Sequence, residues 1–447
     1  MDSLIILLVF VNIKMKSVLI ICDIFPPAFG PRMGYLCKYL KLNDWNPVVV
    51  TEYIGEDTFS FLGKDVDVTY VRYYKKKGFA GKLEWGWTFV RDMLFRYKDR
   101  KMYREALKVA DKSNFDLVLC STYRTFPMHA AWLVAKKIRL PLIVDLRDII
   151  EQYTGNEFIT HNLPKFLGID KLIASVFRKK SLSTRNKILR DVAGVTTISP
   201  WHVSVLKEYN PDTQLIYNGY DPEIFFPEVI KTDKFYITYT GRLLSTAMRN
   251  PDLLFQALER LVKECAISPD TFAVRWFVDD TSEEIIKDAV TKYAGIDEYM
   301  AYCGYVPATE IPKVLNESSI LLLLTNKADA NGPKGVMTTK FFESLAVEKP
   351  ILCVRGDEGC LEEVINSTHS GLSAHNADEV YDFIKEHYTN WKEKISGTNH
   401  SDKDEIRKFS REAQAKQFIR IFDFVTKDLN IPKNKSFGNI NSGTAVC

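Results

Sequence analysis

Short runs of consecutive apolar residues, rich in Val and Ile, alternate with longer helical patterns along almost the whole chain. A strand that is apolar on successive residues must be covered on both faces, which is the mark of a parallel sheet with crossover helices. Two series of such strands can be read. The first comprises 17–23 (SVLIICD), 46–52, 115–121, 140–146, 194–199 and 213–219. The second comprises 234–241 (KFYITYTG), 272–278, 300–306, 319–325 and 350–356. Near 220–234, DPEIFFPEVIKTDK interrupts the alternation with two prolines and several charges. Each series suffices for one doubly wound domain. The expected fold is therefore α/β: two Rossmann-like doubly wound parallel-sheet domains facing a central cleft. In open α/β sheets ligands bind outside the carboxyl ends of the strands, so the site is expected in that cleft.

The boundaries follow from the same pattern. Residues 15–225 form the first domain and 226–401 the second. A helix over 402–428, carrying Ile406, Phe409, Phe418, Ile421 and Phe422, is placed to pack back on the first domain, and the polar tail 429–447 is expected to be disordered. Residues 1–14 read as an upstream extension, with Met15 as the natural start. Their apolar run lacks a basic flank and a cleavage site and is too short to span a bilayer. Helix starts are expected at Asn250 and Thr281, both capping residue types.

Composition narrows the class. The 447 residues are 46% hydrophobic and 26% charged, as in soluble globular chains. The net charge of +3 is uneven: residues 1–228 carry +8 and the remainder −5. A basic first half suits an anionic partner. Nucleic acid is not expected, because no binding motif accompanies the charge. The eight cysteines contain no C-x-x-C pair and read as reduced thiols of a cytoplasmic protein. The seven histidines show no metal-ligand spacing.

Several stretches carry candidate chemistry. In FPPAFGPRMGYL, Gly30 and Pro31 shape a strand-to-helix turn and Arg32 sits in the first helical turn, either lining an anion site or lying on the surface. His129, in the first turn of another helix, can bond a polar ligand or simply satisfy its surroundings. LPLIVDLRD puts Asp145, Arg147 and Asp148 at the carboxyl end of an apolar strand, where charges are costly unless paired or bound. YTGRLLSTAMRN puts Gly241, Arg242 and Arg249 at a loop, and two guanidinium forks there suit a diphosphate. Lys340 and Glu343 stand at i, i+3, as a surface ion pair or as ligand groups. The basic aromatic stretch 64–112 and the amphipathic 165–180 can rest on an anionic membrane. The D-x-D at Asp65-Val-Asp67 falls in an edge region and is discounted.

Taken in order, FPPAFGPRMGYLCKYLKLNDWNPVVVT, PLIVDLRD, VTTISPWHVSVLKEYNPDTQLIYNGYDPEIF, YTGRL and TTKFFESLAVEKPIL resemble a GT-B fold glycosyltransferase of the retaining family-4 type, which builds bacterial surface polysaccharides. The resemblance spans nearly all of 17–425. It implies a nucleotide-sugar donor held by the second domain through Gly241, Arg242, Arg249, Thr339, Lys340 and Glu343, with Arg242, Arg249 or Lys340 on the diphosphate and Glu343 on the ribose. It implies a glycan or lipid-linked acceptor in the first domain, with Gly30 and Arg32 lining the cleft. His129 near the transferred sugar, Asp148 on the acceptor side and Arg242 would be the catalytic residues, with Asn218 and Asp221 at the interdomain turn. Arg242 would also steady the departing diphosphate. No cofactor or metal is implied, and the enzyme would be cytoplasmic, at the inner face of the membrane. Relatives often carry a glutamate where this chain has Gly335; Lys334 and Gly335 are expected to offer amides or a cation instead. A GT-B sugar-nucleotide epimerase and a non-catalytic binder of sugar nucleotides or lipid phosphate are the alternatives.

Overall fold

A computed structural model describes residues 15–152, 169–243, 245–246, 249–325, 335–357, 359–394 and 401–427. The expected extension 1–14, the tail 429–447, Lys334 and residues 165–168 of the amphipathic stretch lie outside the described residues.

Thirteen strands are formed among them: β1 (Lys16–Cys22), β2 (Trp45–Glu52), β3 (Asp67–Val71), β4 (Leu117–Thr122), β5 (Leu142–Leu146), β6 (Gly194–Thr197), β7 (Thr213–Leu215), β8 (Phe235–Thr240), β9 (Phe272–Phe277), β10 (Met300–Tyr302), β11 (Ile320–Leu324), β12 (Ile351–Val354) and β13 (Gly371–Ala374). The helices are α1 (Pro31–Lys41), α2 (Gly78–Phe95), α3 (Tyr97–Ala110), α4 (Met128–Ile138), α5 (Ile169–Leu189), α6 (Pro200–Leu206), α7 (Asp252–Lys263), α8 (Asp280–Val290), α9 (Ile311–Asn316), α10 (Thr339–Ala346), α11 (Cys360–Ser367), α12 (Ala377–Lys392), α13 (Lys403–Arg407) and α14 (Arg411–Lys427).

The strands form a seven-stranded sheet, β3-β2-β1-β4-β5-β6-β7, and a six-stranded sheet, β10-β9-β8-β11-β12-β13. Their defined registers are parallel, as in Ile20 opposite Val49 and Leu323 opposite Cys353. In its own strand count the first sheet runs 3-2-1-4-5-6-7 and the second 3-2-1-4-5-6, both doubly wound as expected from the alternation. The chain divides into two compact units. One holds the described residues up to Ser121 with 127–143, the other 122–126 with those from Val144 onward.

The strand β11 shows why its sequence is apolar without alternation. Leu322 and Leu324 join the core on one face, with Trp276, Phe255 and Tyr381. Leu321 and Leu323 join the core on the other, with Phe341, Phe342 and Leu361. Burying each such side chain stabilises by roughly 1.5–3 kcal/mol.

Three expectations need correction. The helix expected from Thr281 begins two residues earlier, because the Asp279 carboxylate accepts from Ser282 N at 3.0 Å and so caps it. The final helix is two helices, since Ser410 pairs with Tyr220 as an isolated bridge and Arg411 N donates to Tyr220 O at 2.7 Å. The chain leaves the helical path at 408–410 to make that contact. Arg32 is buried, not a surface arginine. No helix among the described residues is long and apolar enough to cross a membrane.

Candidate functional site

In the six-stranded sheet the strand order reverses between β8 and β11, the place where a doubly wound sheet opens a crevice at its carboxyl end. A pocket opens there. It is lined by Thr238 and Thr240 of β8, Leu324 and Thr325 at the end of β11, Arg249, and Thr338, Lys340 and Ser344 of the α10 segment.

Local chemistry explains the placement of Lys340. Along α10, Phe341, Phe342 and Leu345 are buried in the core, which turns Lys340 and Ser344, one helical turn apart, toward the pocket. The loop after β8 meets it. Gly241 has φ +117, a conformation that favours glycine. A β-carbon added there would fall 1.3 Å from Lys340 Nζ, so the ammonium occupies the volume a side chain would need. The loop is pinned on three sides: Gly241 N donates to Phe277 O at 2.9 Å, Leu243 N to Ser282 Oγ at 2.9 Å, and Tyr239 OH to Arg242 O at 3.0 Å. Arg249 Nη1 lies 3.5 Å from Tyr239 OH.

Burial, then the neighbouring Arg249 guanidinium, holds the Lys340 ammonium down to about 8, against a smaller upward pull from Glu343. The Thr338 side chain makes no capping bond at the start of α10, and no acid stands in its first turn. Helix amides and two cations thus converge without a matching carboxylate in the pocket wall beside them, a setting that favours an anion. Asp357 also lines the pocket, but its carboxylate accepts from Gly359 N, Leu361 N and Glu362 N at 2.9–3.1 Å, which commits it to the start of α11.

The other expected donor residues lie around this pocket in distinct ways. Arg242 is largely exposed, with Nε 3.1 Å from Asp279 Oδ2. Thr339 opens α10 and is half-buried. Glu343 is not part of the pocket wall. The residue keeps some solvent contact, yet protein crowds its carboxyl: burial pushes it up, while Arg411 and then Lys340 draw it back. No ion pair links Glu343 to Lys340 among the described residues.

Gly335, just ahead of α10, has φ +65, and a β-carbon there would stand 2.6 Å from Ser199 Oγ and 3.0 Å from Trp201 Cε3. Both backbone and space disfavour a glutamate at this position. Asn218 Nδ2 donates to Met337 O at 3.4 Å in the same segment. The Asp221 carboxylate accepts from Glu223 N at 3.1 Å and shapes its own turn.

Asp148 joins a chain of buried polar groups. Gln152 Nε2 donates to its carboxylate at 3.0 Å, and Gln152 Oε1 lies 2.9 Å from His202 Nε2. His202 Nδ1 is 3.1 Å from Thr197 Oγ1, which is also 2.8 Å from Leu146 O. Burial holds His202 down to about 4, so the ring is neutral, with Nε2–H toward Gln152. The single Thr197 hydroxyl proton then serves either Leu146 O or the ring. Asp145 accepts from Thr196 Oγ1 at 2.8 Å and is fully buried.

Gly30, Arg32 and His129 belong to the other unit. A β-carbon on Gly30 would meet the Phe25 backbone at 2.7 Å, so glycine is required by close approach. His129 stands in the first turn of α4, its ring 5.7 Å from Trp132. Beside it, the Asp99 carboxylate accepts from Ala130 N at 3.2 Å, and burial followed by Asp92 pushes it up to about 7. Sequence reasoning missed Asp99, which reaches α4 from α3 with no motif to signal it. It also missed Thr338 and Tyr239, although both adjoin residues it had singled out. Asp65 and Asp67 lie at the edge of the first sheet, and among the described residues no three His, Cys, Asp or Glu side chains gather to hold a metal.

No protein-family model matches the sequence, and no curated protein does. Solved structures match over nearly the whole chain. HepE of Anabaena in complex with UDP covers 93% of this chain and 99% of its own, with a TM-score of 0.55 at 13% identity. The lipopolysaccharide outer core galactosyltransferase WaaB, in its apo form, covers 92% and 99%, at 0.54 and 12%. A putative UDP-N-acetylglucosamine 2-epimerase from Listeria monocytogenes covers 95% and 100%, at 0.56 and 13%. The chain has the GT-B fold. At these identities the GT-B likeness speaks for architecture alone, and transferases and epimerases share it.

Proposed function

We propose that this GT-B protein is a glycosyltransferase, moving a sugar from a nucleotide-sugar donor to a glycan or lipid-linked acceptor at the inner face of a bacterial membrane. Transfer would retain configuration and need no metal. The observation that carries the reading is the pocket at the β8/β11 reversal, with the Lys340 ammonium packed over the Gly241 backbone. Arg249 and the uncapped start of α10 complete a seat for a diphosphate. The UDP complex of HepE and the galactosyltransferase WaaB support a nucleotide-sugar donor and a transfer reaction.

On this reading the sugar C1–O bond to the diphosphate breaks and a bond from the acceptor oxygen to C1 forms on the same face. The acceptor's proton passes to the departing phosphate oxygen. Charge gathers on the diphosphate as that bond breaks, and fixed cations already aimed there lower the barrier more than groups that must reorganise. Lys340 and Arg249 hold the diphosphate, and Arg242 swings from Asp279 to join them. Glu343 takes the ribose hydroxyls after turning its carboxyl into the pocket, and Gly30, Arg32, His129 and Asp148 serve the acceptor side.

The epimerase neighbour favours a second reading, in which a changed nucleotide sugar is released without an acceptor. A thermal-shift screen against UDP-, GDP-, ADP- and CMP-sugars identifies the donor, and product analysis with and without glycan acceptors separates the readings. Transfer requires product only when acceptor is present. An altered nucleotide sugar formed without acceptor supports the epimerase, and binding with no turnover leaves the non-catalytic alternative.

A further inference from the structure

The helix α2 presents an apolar face to solvent that the fold does not use. Phe79, Leu83, Trp87, Val90 and Leu94 are 77, 61, 64, 44 and 67% exposed. At 100° per residue these five positions fall within an arc of roughly 80°, a single stripe along the helix. Only Thr88 of its eighteen residues is buried. An exposed continuous apolar stripe of this kind marks a surface that meets a partner.

Charge decides the partner. Between Arg72 and Arg100 there are nine basic residues and three acidic ones. Lys75, Lys76 and Lys77 are exposed at the start of the helix, next to Phe79 on the stripe. Their loop is fixed there: Lys75 N and Lys76 N donate to the Glu84 carboxylate at 2.9 and 2.8 Å. A second copy of the chain would bring the same positive charge against itself. A bilayer carrying anionic lipids offers what both features need, acyl surface for the stripe and phosphate for the lysines.

We propose that α2 is the element that seats this protein on an anionic lipid bilayer, the stripe entering the headgroup boundary and Lys75, Lys76 and Lys77 contacting lipid phosphates. The transferase reading supplies a reason to be there, but lipid binding needs no turnover and is tested apart from it. The test is co-sedimentation of the full chain with phosphatidylcholine vesicles, with and without phosphatidylglycerol. Wild type is expected to sediment with the anionic vesicles and remain in solution with the neutral ones. The Leu83→Ser/Trp87→Ser variant should lose roughly tenfold or more in bound fraction, as the apolar area removed implies. The Lys75→Gln/Lys76→Gln/Lys77→Gln variant should bind more weakly and with less dependence on salt. Both variants should keep the wild-type melting temperature and donor-induced thermal shift, since these side chains are exposed and lie outside the donor pocket. Equal sedimentation of the variants and wild type would overturn the proposal. So would absence of wild-type binding to anionic vesicles, or a wild-type dimer that the serine variant converts to monomer without any vesicle affinity.

Discussion

Gly241 and Lys340 are far apart in sequence and share one volume. Either type was readable alone, a glycine after a strand and a lysine in a first helical turn. Their contact was not, because only the parallel order of the second sheet brings β8 and α10 together. Two outcomes follow at this scale. Lys340→Met keeps the aliphatic stem and the fold, and it should weaken nucleotide-sugar binding about tenfold or more, the loss of a charge-assisted contact of about 1.5–3 kcal/mol. The same lysine sets a pH dependence. Its folded value of about 8 lies below its ordinary value of 10.5, so the protonated form, which under the proposed function would hold a diphosphate, is lost as pH rises through about 8. Donor affinity should fall above that pH in wild type and stay flat in Lys340→Met, as calorimetry across pH 7 to 9 reads. Gly335→Glu should not raise activity. With φ +65 and Ser199 in the way, it should destabilise by at least about 1–2 kcal/mol in denaturant unfolding.

At the scale of elements, strands covered on both faces were plain in the sequence and two short ones were not. The edge strand β3, DVTYV, buries only Val71, and β13, GLSA, holds one large apolar residue, Leu372, among Gly, Ser and Ala. Neither offers the apolar run that announced the others; their pairing partners create them. The final helix was read as continuous because the pattern of Ile406, Phe409 and Phe418 does not reveal that the backbone at Ser410 is claimed by Tyr220. The α5 helix is tied down by an interaction no local pattern predicts. Glu151 accepts from Arg185 at 2.6 and 2.5 Å, with Arg185 fully buried. Burial would raise the Glu151 carboxyl, but the hydrogen bonds and charge of Arg185 outweigh it and hold it low. Glu151→Ala strands a buried guanidinium and should cost about 3–5 kcal/mol in chemical denaturation, far more than loss of an exposed pair such as Lys416 with Glu412.

Across the whole molecule, two sheets that share the order 3-2-1-4-5-6 stand in one chain, the first with a seventh strand, and the network from Asp148 to His202 lies beside the loop after β5 in that first sheet. His202 is buried neutral, with a folded value of about 4 against 6.5 when exposed. Between those pH values the unfolded chain takes a proton that the folded one refuses. Stability should therefore fall as pH drops through that window, and His202→Gln should flatten the fall in melts at pH 4 to 7. The fold class was legible because it rests on strand counts and coverage. The candidate site was legible only as residue types, because its geometry depends on which strands become neighbours. The most direct test of the account is calorimetric titration at pH 7 with whichever of the UDP-, GDP-, ADP- or CMP-sugars gives the largest thermal shift. Saturable binding to wild type, weakened about tenfold or more by Lys340→Met, is the predicted result. Equal affinity of wild type and a correctly folded Lys340→Met protein would contradict the placement of the diphosphate in this pocket.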